Sequence, residues 1–566
     1  MEKKIFETDV LIIGTGAAGL RAAIEARRYG VDVLVVDKSL IGVNNNTVFA
    51  GGGVKAALPW LIKEGMQKLY DTPEEHFLET IKYGAYLNNQ RLAEILAIEA
   101  PGRLIEMKDF GVKHIENLRL GADNARVGRE LTRPMGETCK AMAVRFRPCT
   151  TVYDFVLKGG AICGVAAFDS IKGDRMFINA KAIIVATGGA GEVYLRNDTV
   201  AQATGEAYSM AFHAGAELIG MELVQIDPYI LFEPGLPMWY VPPCDARYLG
   251  ELRNARGEPF LTKYFPMKGR PEDPFHVRFG VYPPDVREII SRAMYIEVLE
   301  GRGDNGAVML DCRNVPEEEW LKKPMDVYAR KAILRGFDLR KKMVHMLPGA
   351  IHNLGGIRIN ERCESNLPGL YAAGECSGLL HGAGRLGGNA LSECIVFGAV
   401  AGRNAAEYAK GKERVKAKDE FKEKELFLDR LLEAKKNALT PKEAKTTIKT
   451  IVWNTAGPVR WEESLKKGLH DLKKVQKEDL PRLQASPQPL QLKEAVEAYH
   501  MAYVGEMILR SALLRKESRG SCHYRMDYKK EDNRNWLKNI IVKSVKGKIE
   551  LETAPIEITR CQPPKP

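Results

Sequence analysis

The chain has 566 residues, 45% of them apolar and 28% charged, with a formal net charge of +11. At roughly 100–200 residues per domain, this length implies three or four units with a sizeable core, and the composition excludes a disordered or membrane-embedded chain. The basic residues are spread along the sequence, which argues against a nucleic-acid binder and for a solvated basic surface, leaving open a face for an anionic substrate or acidic partner.

Residues 1–8 are polar and lead at once into a short apolar strand at 9–13, so no signal peptide is expected. A glycine turn follows, then an Ala-rich helix to about Arg28 and a second buried strand at 31–36 that ends in Asp37, a βαβ opening. Residues 44–53 read as a polar, Gly-rich loop, 72–111 as mostly helical, 182–185 as a buried strand running into Thr187-Gly188-Gly189, and 203–218 as a helix. From Gln225 to Pro284 proline and aromatic residues are dense, the texture of an inserted unit with irregular loops. Glycine turns return at Gly355-Gly356 and Gly374, and a Gly-rich loop at 382–388 precedes another helix. Beyond Lys410 the sequence is Lys/Glu-rich with helical periodicity through 417–519, and the polar end, closing on Pro563-Pro564-Lys565-Pro566, is expected to be a poorly ordered tail.

The ten cysteines are scattered, with no Cys-x-x-Cys pair. Neither a disulfide framework nor an iron–sulfur or zinc site is expected, and no metal; reduced thiols fit a reducing, cytoplasmic compartment. No apolar run approaches the roughly 20 residues of a membrane span, so any membrane association is expected to be peripheral and through a partner.

Gly14-Thr15-Gly16-Ala17-Ala18-Gly19 fits G-x-G-x-x-G between a strand and a helix. Gly14 permits the tight turn, Gly16 lets backbone approach a pyrophosphate, Gly19 lets helix and strand pack closely, and the helix N-terminus offers N–H groups to the anion. Asp37 stands 18 residues past Gly19, near the roughly 20 expected of an acid that hydrogen-bonds a ribose. Residues 183–189 and 370–375 each end a buried strand in glycine or acid, and look like further FAD contacts of large flavoproteins.

Four further stretches, in order, carry a family resemblance. Arg287–Met294, His352-Asn353-Leu354-Gly355-Gly356-Ile357, Gly382–Leu391 and Glu517-Ser518-Arg519-Gly520 with His523, Arg525, Asp527 and Tyr528 resemble segments of the succinate dehydrogenase/fumarate reductase flavoproteins. The resemblance implies an α/β fold: a Rossmann-like FAD-binding domain over 1–225 and 346–412, an inserted α+β capping domain at 226–345, a helical domain at 413–520 and a C-terminal segment at 521–566. It implies hydride exchange between flavin N5 and a carbon–carbon bond beside a carboxylate, with Arg287 as proton shuttle and His352 and Arg385 as carboxylate ligands. Its flavin contacts fall on Gly14, Gly16, Ala18, Gly19, Asp37 and Lys38; on Asn46, Thr47, Gly52 and Gly53; on Ala186, Thr187, Gly188 and Glu375; and on Arg385, Asn389, Ala390 and Ser392. Asp285 and Glu288 form a capping-box-like helix start that puts Arg287 in a first turn, where the dipole disfavours a cation by roughly 0.3–1 kcal/mol and makes it a slightly better acid. Asn389 is expected to cap the helix that follows, whose N-terminus would stabilise negative charge on the reduced ring. Arg385, flanked by glycines, calls for a bound anion.

Three departures matter. Asn46-Thr47-Val48 stands where the family carries a His for covalent flavin attachment, so the FAD is expected to be non-covalent. Gln225-Ile226-Asp227-Pro228 replaces a segment whose His meets the second carboxylate; an ionised Asp227 repels a carboxylate unless its pKa is raised. The downstream Thr-Glu pair is replaced by Trp239-Tyr240-Val241-Pro242-Pro243-Cys244, which favours a bulkier or apolar group. The expected substrate is an unsaturated or dicarboxylic acid other than plain fumarate, with electrons from an iron–sulfur partner. The competing readings are an adenylylsulfate reductase-like flavoprotein, an L-aspartate oxidase, and a flavin electron-relay component that would tolerate Arg287→Ala.

Overall fold

The computed structural model describes residues 3–58, 72–115, 127–233, 239–240, 250–264, 286–321, 330, 332–334 and 336–564. At the centre of its largest sheet, β1 (Lys3–Ile13) pairs in parallel with β2 (Val33–Val36) on one side and β6 (Arg175–Val185) on the other. β3 (Arg145–Arg147) extends the sheet beyond β2, and β14 (Leu370–Ala372) joins β6 over Ile183–Val185, both in parallel. The remaining edge of β6 takes the antiparallel hairpin β4 (Thr150–Lys158) and β5 (Ala161–Asp169). Val33–Val36 is buried at every position, the continuous apolar run that a strand covered on both faces requires.

The helices Ala17–Arg28 and Asn389–Lys410 lie side by side and run in the same direction. A Cβ at Gly398 would come within 2.7 Å of Ala18 O, and one at Gly402 within 2.4 Å of Ala22 O, so glycine is what lets the two backbones touch. From this register the longer helix begins about 12 Å before the shorter one, on the same side of the sheet.

The second sheet is antiparallel, in the order β10 (Glu251–Arg253), β11 (Val308–Asp311), β12 (Val344–Asn353), β8 (Val224–Leu231), β9 (Trp239–Tyr240). The inserted unit, expected as α+β with irregular loops, carries these strands and a core of its own that includes Phe260, Met294, Trp320 and Met346. The helix Val286–Leu299 packs across β8 and β12, Ser291 Oγ donating to Ile226 O at 2.8 Å. Asp285 and residues 241–244 lie outside the described residues, as do the side chains of Trp239, Tyr240 and Arg287.

Three other expectations are corrected. The helix expected over 203–218 is Glu206–Ala214; Gly215, at φ 95°, ends it, and β7 (Leu218–Ile219) follows. The loop at 44–53 holds a short helix, Asn46–Phe49, capped by the Asn45 side chain on Val48 N. The expected tail is a hairpin, β15 (Lys538–Val545) and β16 (Lys548–Pro555), which completes a third sheet with β7 and β13 (Gly356–Ile357). The region expected to be helical contains Lys418–Leu432, Pro441–Ala456, Glu462–Lys474 and Pro489–Leu514. No described helix is long and apolar enough to cross a membrane.

Candidate functional site

Four parallel strands end at one edge. Ile13 is in register with Val36 and Val185, and Val185 with Ala372. The loops after them are stitched together by backbone: Gly14 N donates to Val36 O (2.8 Å), Ala186 N to Ile13 O (2.9 Å) and Ala373 N to Val185 O (3.0 Å). Gly14 through Gly19, Asp37, Ala186 through Gly188, and Glu375 therefore converge at the carboxyl end of the sheet, where such folds hold nucleotides.

The residues at this edge fit a dinucleotide. A Cβ on Gly14 would stand 2.3 Å from Ala186 O, and one on Gly19 2.1 Å from Gly14 O; both glycines serve close packing. A Cβ on Gly16 would meet only Thr47 Oγ1, at 3.3 Å, and Gly16 begins the helix Ala17–Arg28 with no side-chain cap. Only Ala17 N of this N-terminus is taken, by Thr47 Oγ1, and a turn with no side chain at Gly16 suits the approach of a pyrophosphate. Gly52 and Gly188 also face open space.

Asp37 anchors the glycine loop itself, Oδ2 accepting from Thr15 N (2.9 Å) and Thr15 Oγ1 (2.6 Å). The ammonium of Lys38 turns to Thr204, Glu206 and Glu497. Asn46 Oδ1 accepts from Val200 N at 2.9 Å, and Thr47 Oγ1 from Ala17 N at 3.2 Å.

The same loop reaches the second helix. Gly388, at φ 86°, is the N-cap of Asn389–Lys410 and has no side-chain cap. Lys55 N donates to Gly388 O (3.3 Å), and Ser392 Oγ to Lys55 O (2.5 Å). Asn389 does not cap this helix, as its sequence position had implied; it is the first helical residue, and its amide is buried against His76 Nε2 (2.8 Å) and Thr80 Oγ1 (3.0 Å). Ala390 follows it in the first turn.

His352 lies near the end of β12, opposite Gln225 of β8. It is buried, its Nε2 has no hydrogen-bond partner among the described residues, and its ring meets that of His381 edge-on at 5.7 Å. Burial, then the charges of Arg385 and His381, hold its pKa well below the ordinary value, so the imidazole is neutral. Arg385 sits in a loop pinned from both sides, Ala383 N donating to Gly84 O (2.8 Å) and Ser521 N to Ala383 O (2.9 Å). Glu375 stands between these residues and the nucleotide edge: its Oε1 accepts from Asn353 N (3.0 Å) and lies 3.8 Å from His352 Nδ1. Burial raises its pKa to about 7, against hydrogen bonds from Asn353 and Asn46 and the charge of Arg385. His352, His381 and Glu393 bring ligand atoms within 4.8 Å of one another, close enough to hold a cation.

Asp227 is buried on β8, in register with Gly349. Arg287 falls in the first turn of the helix Val286–Leu299, one turn before Ser291. The structure thus brings together His352, Arg385 and Glu375, and places Asp227 on the strand beside His352. Two further polar groups here carry no signal in the sequence, Gln225 as a ligand and Asp198. Gln225 is fully buried with both amide atoms unpartnered among the described residues, and Asp198 reaches β12 through backbone pairing with Ala350.

The doubly wound sheet, the glycine turn and the loops gathered at one edge define a dinucleotide-binding protein. The FAD binding domain family matches residues 9–391, and the fumarate reductase flavoprotein C-terminal family matches 445–566. An FAD-dependent oxidoreductase of Methanocaldococcus jannaschii is 33% identical, covering 95% of this chain and 97% of that protein. A fumarate reductase (CoM/CoB) subunit of Methanothermobacter marburgensis is 30% identical, covering 96% and 98%. The FrdA chain of E. coli quinol fumarate reductase superposes with a TM-score of 0.87 at 27% identity, covering 100% of this chain and 99% of that one. The chain belongs to the fumarate reductase/succinate dehydrogenase flavoprotein family of FAD-dependent oxidoreductases.

Proposed function

We propose that this chain reduces the carbon–carbon double bond of an unsaturated carboxylic acid other than plain fumarate, as the catalytic flavoprotein of a cytoplasmic assembly fed by a separate iron–sulfur protein. The observation that carries the reading is the buried, neutral His352, its Nε2 unpartnered among the described residues, beside the charge of Arg385. A neutral imidazole N–H and a guanidinium together suit one carboxylate. On β8 a buried acid, Asp227, stands where the resemblance puts a His, so this end lacks the imidazole that would meet a second substrate carboxylate. FAD supplies two-electron hydride chemistry when bound. Arg287 is assigned the proton, delivered to the alkene carbon that the hydride does not reach. Asn46, already engaged with Val200 N, has no nucleophile for a flavin linkage, so the cofactor is held non-covalently. The two fumarate reductase relatives, one of them part of a multi-subunit enzyme by its name, support a catalytic chain that works with partners.

The test is Arg287→Ala in the FAD-loaded protein. After reduction with dithionite, reoxidation by a panel of unsaturated acids should fall by about a thousandfold, the scale of a lost general acid. Reoxidation by ferricyanide, which needs no proton delivery to carbon, should be unchanged. Acid-unreactive wild-type enzyme that still passes electrons to ferricyanide would make the chain a relay.

A further inference from the structure

Asp198 and Asp227 flank one stretch of β12. On one edge, Asp227 is in register with Gly349. On the other, Ala350 N donates to Arg196 O (2.9 Å) and Asp198 N donates to Ala350 O (3.0 Å). Two residues further along β12 stands His352. Because strand side chains alternate in direction, Gln225 and Asp227 share a face of β8, and the register puts His352 on that face as well.

A ligand is indicated on this face independently of the acids. Gln225 is fully buried, yet neither its amide oxygen nor its nitrogen has a partner among the described residues, and His352 Nε2 is in the same condition. Leaving such groups unmade costs about 1–3 kcal/mol each, so a site built this way is completed by something it binds. The nearby Arg196 does not neutralise Asp198, since that guanidinium lies 4.7 Å over the Phe232 ring. The Asp198 side chain is exposed, yet burial, then the charge of Asp227, pushes its carboxyl up to about 8.

We propose that the substrate carries, at the end remote from the carboxylate held by His352 and Arg385, a group that donates N–H hydrogen bonds, an amine or an amide, to Asp198 and Asp227. The inference rests on the reductase reading above and names the substrate class of that same site. Two carboxyl groups that flank one strand accept N–H donors, whereas a substrate carboxylate beside them would add negative charge to a pair that already holds one proton against its own repulsion.

The experiment uses dithionite-reduced, FAD-loaded enzyme and follows reoxidation by fumarate, by its monoamide fumaramate and by 4-aminocrotonate at equal concentrations. One of the two nitrogen-bearing acids should react at least tenfold faster than fumarate, the amide if the pair retains one proton and the amine if it does not. Binding of the saturated analogues, followed by perturbation of the oxidised flavin spectrum, should favour succinamate over succinate by a similar factor. Asp198→Asn and Asp227→Asn, made separately, should shrink both preferences. Reoxidation fastest by fumarate, with succinate bound as tightly as succinamate, overturns this inference and the exclusion of fumarate with it, while reduction of an unsaturated acid stands. Reoxidation by none of the three acids overturns this inference, and the reductase reading falls with it only if every acid of the panel fails while ferricyanide still reacts.

Discussion

His500, on the helix Pro489–Leu514, is held between two other elements, which fixes its protonation. Its Nε2 donates to Tyr153 O (3.2 Å) on β4, and its Nδ1 accepts from Ser209 Oγ (3.0 Å) on the helix Glu206–Ala214. Both nitrogens are used by a neutral ring, and a second proton would have no acceptor. Burial, then the charge of His213, lowers its pKa from 6.5 to about 3. The sign of the pH effect follows. Between those values the unfolded chain binds a proton that the folded chain does not, so stability is lost as pH falls below 6.5 toward 3. At pH 5 this group alone removes about 2 kcal/mol relative to pH 7. His500→Gln is expected to lower stability at pH 7 but to flatten the acid limb by about that amount. Guanidinium unfolding at pH 7 and pH 5 checks it, and an unchanged difference between the two pH values would rule out His500 as the source.

At the scale of elements, the C-terminal hairpin turns on two residues. Val545 pairs with Lys548, and the loop between them puts Lys546 at φ 50° and Gly547 at φ 74°. Two consecutive left-handed residues make the turn whose twist matches a hairpin, and Asn-Gly suits it far better than Lys-Gly. Lys546→Asn should therefore stabilise the protein by about 0.5 kcal/mol, read as a higher denaturation midpoint at unchanged slope; a lower midpoint would refute the turn assignment. This hairpin was legible in principle, since a Lys-Gly turn separates the apolar run Ile540, Ile541, Val542 from a second strand, but the polar composition around it reads as a tail. The glycine turn was readable because its demands are local: Gly14 and Gly19 are glycine because Ala186 O and Gly14 O leave no room for a side chain. Asp198 was not readable, because its place follows from backbone pairing with Ala350, far along the chain. Asn389 was misread as a cap for a related reason: a side chain that fits a cap locally is claimed by His76 and Thr80 from a distant helix.

At the scale of the whole molecule, the nucleotide edge is tied to the helices near the C-terminus through one buried ammonium. Lys38, the residue after Asp37, bonds Glu206 Oε1 (2.5 Å) and Glu497 Oε1 (3.0 Å), and Glu497 Oε2 accepts from Lys445 Nζ (2.7 Å). The Lys38–Glu497 pair spans 459 residues of sequence. Burial opposes both charges, but Glu206 and Glu497 hold the ammonium of Lys38 protonated, and Lys38 and Lys445 keep Glu497 ionised. Removing one member of such a set leaves the others buried without compensation, so Glu497→Gln should cost about 3–5 kcal/mol. The loss belongs to the network, not to glutamate as such. Adding Lys38→Met to Glu497→Gln should therefore cost at least about 1 kcal/mol less than the sum of the two single changes. Because Lys38 adjoins the acid that anchors the glycine loop, Glu497→Gln should also loosen FAD, seen as a higher fraction of flavin lost on gel filtration. Additive stabilities and full flavin retention would mean that the helices are fastened by their apolar contacts alone, and that the ammonium merely fills the space between them.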